Sequence, residues 1–230
     1  MDFDAVILAG GKSSRLGGVP KARLRYDGAT LLQRAVAAVR GAGRVVVVGP
    51  DPGTLPDGTL TAREDPPYAG PAAAIAAGLA ALEAQDGEAQ DGEAQDGEAQ
   101  DGEAQDGETQ GGQRPSAKHA PWVLVMACDM PLAADALPVL LRELASRQDV
   151  EGALSVSADG RKQPLLGIYR VSALQREVRA AEEQGGLANI AVFGLLARLD
   201  LLAVPVPAGS TDDVDTWDDA AALGVDGDLP

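Results

Sequence analysis

The chain has 230 residues, 45% apolar and only 3% aromatic, which bounds it at one globular domain, or at most two small ones, with a core built from Val, Leu, Ile and Ala. No apolar run approaches the ~18 residues of a membrane span. The Met-Asp-Phe-Asp start lacks the basic region of a secretory signal, and the single cysteine, Cys128, excludes an internal disulfide, so a soluble cytoplasmic protein is expected. The formal charge of −16 comes with no basic stripe, which argues against a nucleic-acid partner.

Phe3–Ala9 predicts a buried strand that opens into Leu8-Ala9-Gly10-Gly11-Lys12-Ser13-Ser14-Arg15-Leu16-Gly17-Gly18. Its Gly-Lys-Ser is not the end of a P-loop, because the position five before Gly11 is Val6, inside the strand. The Gly-x-Gly-x-x-Gly dinucleotide pattern fails as well, since Gly10 and Gly11 are adjacent. What remains is a strand end, two glycines whose backbone can approach a ligand, and two spaced cations, Arg15 and Lys21. Arg15 can fork onto phosphate oxygens and Lys21 supplies a point charge. Such a loop suits a triphosphate attacked at its α-phosphorus, with pyrophosphate leaving. A Gly-rich turn with solvated cations is the plainer alternative.

Ala22–Tyr26 predicts a short extended piece that turns at Asp27-Gly28. Thr30 and Gln33 form a capping box for a helix over Leu31–Ala42. Arg44–Gly49, with four consecutive valines, reads as a strand buried on both faces, and Gly70-Pro71 opens a helix to about Leu82. From Glu83 to Gly107 the segment Glu-Ala-Gln-Asp-Gly occurs five times, followed by Glu-Thr-Gln-Gly-Gly. These 30 residues hold 6 Glu, 5 Asp and no Lys or Arg, so the rest of the chain carries only −5. With no apolar side chain larger than Ala to bury, the repeat is expected to be a solvated, mostly disordered insertion.

Trp122–Ala127 predicts a third buried strand that ends at Cys128-Asp129-Met130-Pro131, and a helix over Ala134–Arg147 follows. Gly152–Ser157 and Pro164–Arg170 read as strands joined through Asp159-Gly160. Helices over Ser172–Gln184 and Leu187–Leu199, a strand at Leu201–Val206 and a last helix capped by Thr216 and Asp219 complete the pattern. The alternation predicts an α/β fold with a doubly wound, mostly parallel sheet, one Rossmann-like domain over 1–230 interrupted at 83–112. Ligands in such sheets sit beyond the C-terminal strand ends, where the Gly-rich loop, Asp51 and Asp129 all fall. The repeat lies between a helix and the next strand, so it should leave from the opposite edge.

Asp129, at a strand end before a Pro-ended turn, suits a hard cation whose remaining positions phosphate oxygens fill; a helix N-cap is its structural alternative. His119 and Lys118 lie on the exit from the repeat and read as solvated loop. Cys128 reads as a small buried hydrophobe.

The stretch LAGGKSSRLGGVPK resembles the signature of nucleotidyltransferases with an N-terminal Leu-Ala-Gly-Gly loop, and among them the molybdenum cofactor guanylyltransferases. Glu64-Asp65 before Gly70-Pro71, Cys128-Asp129-Met130-Pro131, Gln163-Pro164-Leu165-Leu166-Gly167-Ile168-Tyr169 and Asp213-Val214-Asp215-Thr216 extend the likeness over nearly the whole chain except the repeat. The resemblance implies transfer of GMP from GTP to molybdopterin. It implies GTP held by Leu8, Ala9, Gly10, Gly11 and Lys21, with Arg15 also on the triphosphate. Asp65, with Glu64 as its rival, would touch the nucleotide, and Asp129 would bind Mg²⁺. Asp213 and Asp215 either complete the metal or pterin pocket or cap the last helix, and Gln163 belongs to the same motif set. Arg161 and Lys162 either meet the pterin phosphate or stay solvated on a hairpin. The resemblance also implies transient contact with a molybdenum insertase or acceptor molybdoenzymes. Trp217 stands where the family usually has Pro. The competing readings are a cytidylyltransferase for the same pterin, a guanylyltransferase for another phosphorylated small molecule, and a nucleotide-binding subunit without catalysis.

Overall fold

All six residues of Phe3–Leu8 (β1) are buried, as a central strand covered on both faces requires. The computed structural model describes residues 1–50, 53–95, 120–147 and 149–227. After β1 come a two-stranded ribbon, Arg25–Tyr26 (β2) and Ala29–Thr30 (β3), the helix Leu31–Ala38 (α1), and the strands Val45–Val48 (β4) and Leu60–Ala62 (β5). The helix Pro71–Gln95 (α2) precedes the strand Trp122–Ala127 (β6) and the helix Leu137–Ala145 (α3). Strands Gly152–Val156 (β7) and Lys162–Arg170 (β8), helices Val171–Glu183 (α4) and Val192–Leu196 (α5), strand Leu201–Pro205 (β9) and helix Trp217–Leu223 (α6) follow.

Among the described residues the main sheet has the order β5-β4-β1-β6-β8-β7-β9. Strand β1 pairs in parallel with β4 and β6, β4 with β5, and β7 with β9; β8 runs antiparallel to β6 and β7. The sheet is therefore mixed and mostly parallel with helices on both faces, the α/β architecture expected from the alternation of elements.

The period of two along β1 divides the core. Phe3, Ala5 and Ile7 join the cluster under α1 and α3, while Val6 and Leu8 join the one under α2, α4 and α5. At the strand's start Asp4, only 2% exposed, accepts from the Arg44 backbone at 2.9 Å and from Arg44 Nη2 at 2.6 Å. That pairing satisfies a buried carboxylate and ties β1 to the entry of β4. A third, smaller cluster joins Leu16, Leu24, Leu31, Val214, Ala220 and Val225. It anchors the Gly-rich loop, the turn bearing Lys21 and the segment between Asp213 and Asp215 to one another.

Several boundaries differ from expectation. Helix α1 stops at Ala38, and the chain turns towards β4 with Ala42 N donating to the Val39 carbonyl at 2.8 Å. The helix expected over Leu187–Leu199 is cut to Val192–Leu196. Before it, Asn189 takes φ +62 and its N–H donates to the Ala69 carbonyl at 2.7 Å, so that backbone serves a neighbouring loop instead of a helical turn. Lys21–Arg23 and Ala133–Asp135 form single 3-10 turns, and α3 begins late, with Pro138 in its first turn. Helix α2 runs on to Gln95, through the first repeats expected to be disordered. Glu, Ala and Gln are strong helix formers, and the turns already docked on the sheet spare the extension its nucleation cost. The repeat beyond Gln95, Asp51 and His119 lie outside the described residues.

Candidate active site

Strands β1 and β6 end side by side, with Leu8 opposite Ala127. The loops that leave them contribute Ala9–Ser13, Gly18, Cys128 and Asp129 to the lining of a cavity of about 640 Å³. Close backbone approach sets its shape. A Cβ on Gly49, just past β4, would meet the Ala9 carbonyl at 3.0–3.1 Å, so any side chain there would crowd the loop. The loop then turns through Ser13 at φ +44, with Leu16 N and Gly18 N both donating to the Ser13 carbonyl at 3.0 Å.

Charge converges at one end of the cavity. Lys21 Nζ lies 2.8 Å from Asp129 Oδ2 and also donates to Asp215 Oδ1. Arg15 Nη1 stands 3.5 Å from Asp215 Oδ2 with its side chain 71% exposed. The Asp129 carbonyl accepts from Val214 N at 3.0 Å, and Arg34 Nε donates to the Pro131 carbonyl at 3.2 Å; together these fix the Asp-Met-Pro turn. Burial works against the charged form of Lys21, but Asp129 and Asp215 outweigh it and hold the ammonium above the ordinary lysine range. Enclosure, with the neighbouring charges of Asp129 and Asp215, pushes the Asp213 carboxyl up. One oxygen from each of Asp129, Asp213 and Asp215 lies within 4.8 Å of the others. Three hard oxygen donors in mutual repulsion, with a lysine already drawn among them, fit a divalent cation.

The cap role considered for Asp213 and Asp215 falls to other residues. Thr216 is the N-cap of α6, and Asp219 Oδ2 accepts from Thr216 N at 2.7 Å. Trp217 occupies the first helical position there, one that Pro also suits. No side chain caps the turn after Pro131, whose N-cap is Leu132, so Asp129 is left to Lys21.

At the other end Glu64, 7% exposed, lines the cavity against the Gly-rich loop, 3.6 Å from where a Cβ on Gly10 would stand. Its Oε1 accepts from Tyr68 N at 3.1 Å, and its Oε2 is buried without a partner. Asp65 is exposed and does not line the cavity. The structure thus brings Leu8, Ala9, Gly10, Gly11, Lys21, Glu64, Asp129, Asp213 and Asp215 into one wall, with Arg15 at its edge. Gln163 is outside the lining; its Oε1 accepts from Leu165 N at 3.3 Å, and Leu165 itself lines the cavity. That placement follows from a bulge between Leu154 and Ser155, held by Ser155 Oγ on the Leu166 carbonyl at 2.8 Å and Tyr169 OH on the Pro164 carbonyl at 2.6 Å.

Arg161 is likewise outside the lining and pairs with Asp159 at 2.9 Å on the β7–β8 turn. Lys12 is exposed and lines the cavity. Cys128 is 4% exposed and burial pushes its thiol up, which keeps it protonated. Tyr68 lines the cavity and sequence patterns did not single it out. The available signal was an aromatic in a Pro-Pro-Tyr-Ala-Gly loop of a chain with only three tyrosines.

Residues 5–198 match the family model described as a MobA-like NTP transferase domain. A protein from Chloroflexus aggregans named as a probable molybdenum cofactor guanylyltransferase is 33% identical over 196 residues, 80% of this chain and 74% of that one. Two solved structures share the fold. One is 2-C-methyl-D-erythritol 4-phosphate cytidylyltransferase from Thermus thermophilus, at TM-score 0.60 and 19% identity over 97% of each chain. The other is molybdopterin-guanine dinucleotide biosynthesis protein A from Archaeoglobus fulgidus, at TM-score 0.59 and 18% identity over 96% of each chain.

Proposed function

Because the chain belongs to the MobA-like NTP transferase family, we propose that it transfers GMP from GTP to molybdopterin. The family reaction couples a nucleotide to a small-molecule acceptor; GTP and the pterin are the substrates proposed here. A terminal phosphate oxygen of the acceptor attacks the α-phosphorus, the bond to the α,β-bridging oxygen breaks, and pyrophosphate leaves with its electron pair. The observation that carries this reading is the meeting, in one cavity, of the glycine loop, Lys21 and the Asp129–Asp213–Asp215 carboxylates.

In this reading Leu8, Ala9, Gly10 and Gly11 offer backbone to the nucleotide, and Lys21 and Arg15 hold triphosphate oxygens. Asp129, Asp213 and Asp215 would hold Mg²⁺, which supplies neutralisation of charge on the phosphate oxygens. A phosphate nucleophile is already anionic, so no side chain has to form a covalent intermediate. Catalysis is then positioning and charge stabilisation.

Glu64 supports guanine as the base. Its unpartnered Oε2 and its half-used Oε1 ask for two N–H donors side by side, which guanine offers at N1 and N2. Cytosine offers one donor beside the N3 lone pair, which would leave a buried acceptor facing an acceptor. The Chloroflexus aggregans relative, by its name, supports the pterin as acceptor.

The test is pyrophosphate release by the purified chain with Mg²⁺, molybdopterin and either GTP or CTP. Release with GTP, lost in Asp129→Ala, is the expected result. Preference for CTP overturns the base assignment, and full turnover by Asp129→Ala overturns the carboxylate's role.

A further inference from the structure

Three tyrosines are present, and two have evident structural duties. Tyr26 carries the Arg34 guanidinium 4.6 Å above its ring, and Tyr169 is fully buried with its hydroxyl on the Pro164 carbonyl. Tyr68 differs in three respects. Its backbone takes φ +62, in the left-handed region where a bulky residue stays only when its surroundings hold it. Its N–H donates to Glu64 Oε1 at 3.1 Å, and the neighbouring Ala69 carbonyl accepts from Asn189 N at 2.7 Å, so the loop is clamped from both sides. Its side chain lines the cavity yet is 45% exposed.

A fold gains nothing by holding an aromatic ring out of the core on an unfavourable backbone. The arrangement makes sense if the ring has a ligand to cover. The residue that pins Tyr68 is also the one with a buried, unpartnered oxygen in the same cavity. One carboxylate therefore holds the Tyr68 backbone with Oε1 and leaves Oε2 for an in-plane donor. A flat heterocycle with N–H groups along one edge satisfies both: its face for the ring, its edge for the carboxylate.

We infer that Tyr68 is the stacking platform for the base of the donor nucleotide. The inference rests on the nucleotidyl-transfer reading. It divides recognition in two: Tyr68 supplies affinity through a π-face that every base has, and Glu64 supplies the choice among bases. Holding the phosphates belongs to the glycine loop and Lys21, not to Tyr68.

The test is calorimetric titration of the full chain with GTP and, separately, with inorganic tripolyphosphate, both in the presence of Mg²⁺. Tyr68→Ala should weaken GTP binding by about tenfold, the scale of one base–aromatic stack, and leave tripolyphosphate binding unchanged. Tyr68→Phe should bind GTP like the parent. Tyr68→Gly should lose GTP affinity as Ala does while melting no lower than the parent, because glycine accepts the positive φ. GTP binding at parental strength in Tyr68→Ala overturns the inference alone. Equal weakening of GTP and tripolyphosphate also overturns it, by showing a displaced loop in place of a lost stack. A parent chain that binds tripolyphosphate but gains nothing from the base overturns the nucleotide reading as well.

Discussion

The ammonium of Lys21 stands 2.8 Å from Asp129 Oδ2 and hydrogen-bonds Asp215 Oδ1, so one side chain spans two of the three carboxylates suited to a divalent ion. A cation on those same oxygens and the lysine cannot share the position. On the reading proposed above, the lysine holds Asp129 and Asp215 together in the ion-free protein, and a cation bound to those oxygens would leave the ammonium to phosphate oxygens.

Replacing Lys21 by Met keeps the aliphatic stem and removes the charge. Mn²⁺ titration of the nucleotide-free protein should show affinity raised by at least about tenfold, because an ammonium ~4 Å from a divalent ion costs several kcal/mol even at an effective dielectric of ~20. The same variant should bind GTP about 10–100-fold more weakly, having lost a charge-assisted contact to phosphate. Unchanged Mn²⁺ affinity would show that ion and lysine use different oxygens.

Much of this arrangement was legible in the sequence. The LAGG stretch, Lys21 and Asp129 were identified by residue type and offset, and the structure gathers them because β1 and β6 are neighbours. The capping boxes at Thr30 and Thr216 form as read, since a cap depends on residues three apart. What sequence could not decide depends on contacts distant along the chain. The motif favours Asp65 with Glu64 as its rival, and only the packing of Gly10 against the β5–α2 loop buries Glu64 and leaves Asp65 exposed. The shortened helix at 192–196 follows from Asn189 pairing with Ala69, 120 positions away. The extension of α2 into the repeat is hidden for another reason: the glycines argue against a helix, and the support of an already docked helix is a tertiary effect.

Glu64→Gln tests how the base is chosen. The glutamine amide presents one acceptor and one donor, the complement of the cytosine edge, and loses one of the two bonds to guanine. The expected outcome is a fall in GTP affinity of about 10-fold or more, with a concurrent gain for CTP, consistent with ~1–3 kcal/mol for a good bidentate pair. Competitive binding of the two nucleotides to parent and variant reads the ratio directly. An unaltered ratio would remove Glu64 from base selection.

Helix α2 approaches the sheet closely at Gly78, where an added Cβ would stand 2.5 Å from Val6 Cγ1 and 2.9 Å from Val6 Cγ2. Valine is stiff at χ1 and cannot swing aside, so Gly78→Ala should force the helix away from β1 and β4. Overpacking of this kind costs about 1–3 kcal/mol, against the ~1 kcal/mol that Ala gains over Gly in a helix. The melting temperature should fall by several degrees, at about 2–4 °C per kcal/mol for a chain of this size. A rise instead would mean that helix propensity governs and that the contact with Val6 relaxes freely.

The repeat offers the opposite case, a large change with little expected effect. Arg44 Nη1 donates to the Leu82 carbonyl at 3.0 Å, and Arg44 lies at the entry of β4, so α2 leaves the body at the N-terminal edge of the sheet. The cavity lies at the other edge, beyond Leu8 and Ala127. From Glu83 to Gln95 the helix continues by about 20 Å at 1.5 Å per residue. Glu83 still touches the body through Gln175, so a deletion should begin after it. Removing residues 88–107 takes out four whole repeats and leaves residues 108–119 to reach Ala120, a span of up to about 40 Å in extended form. Shortening a surface loop changes closure entropy by only ~0.6 kcal/mol per halving. Melting temperature and turnover with GTP should therefore stay within error of the parent, and the net charge of −16 should drop by the eight acidic residues removed, to −8. A large loss of turnover at unchanged melting temperature would assign the acidic segment a part in the reaction cycle.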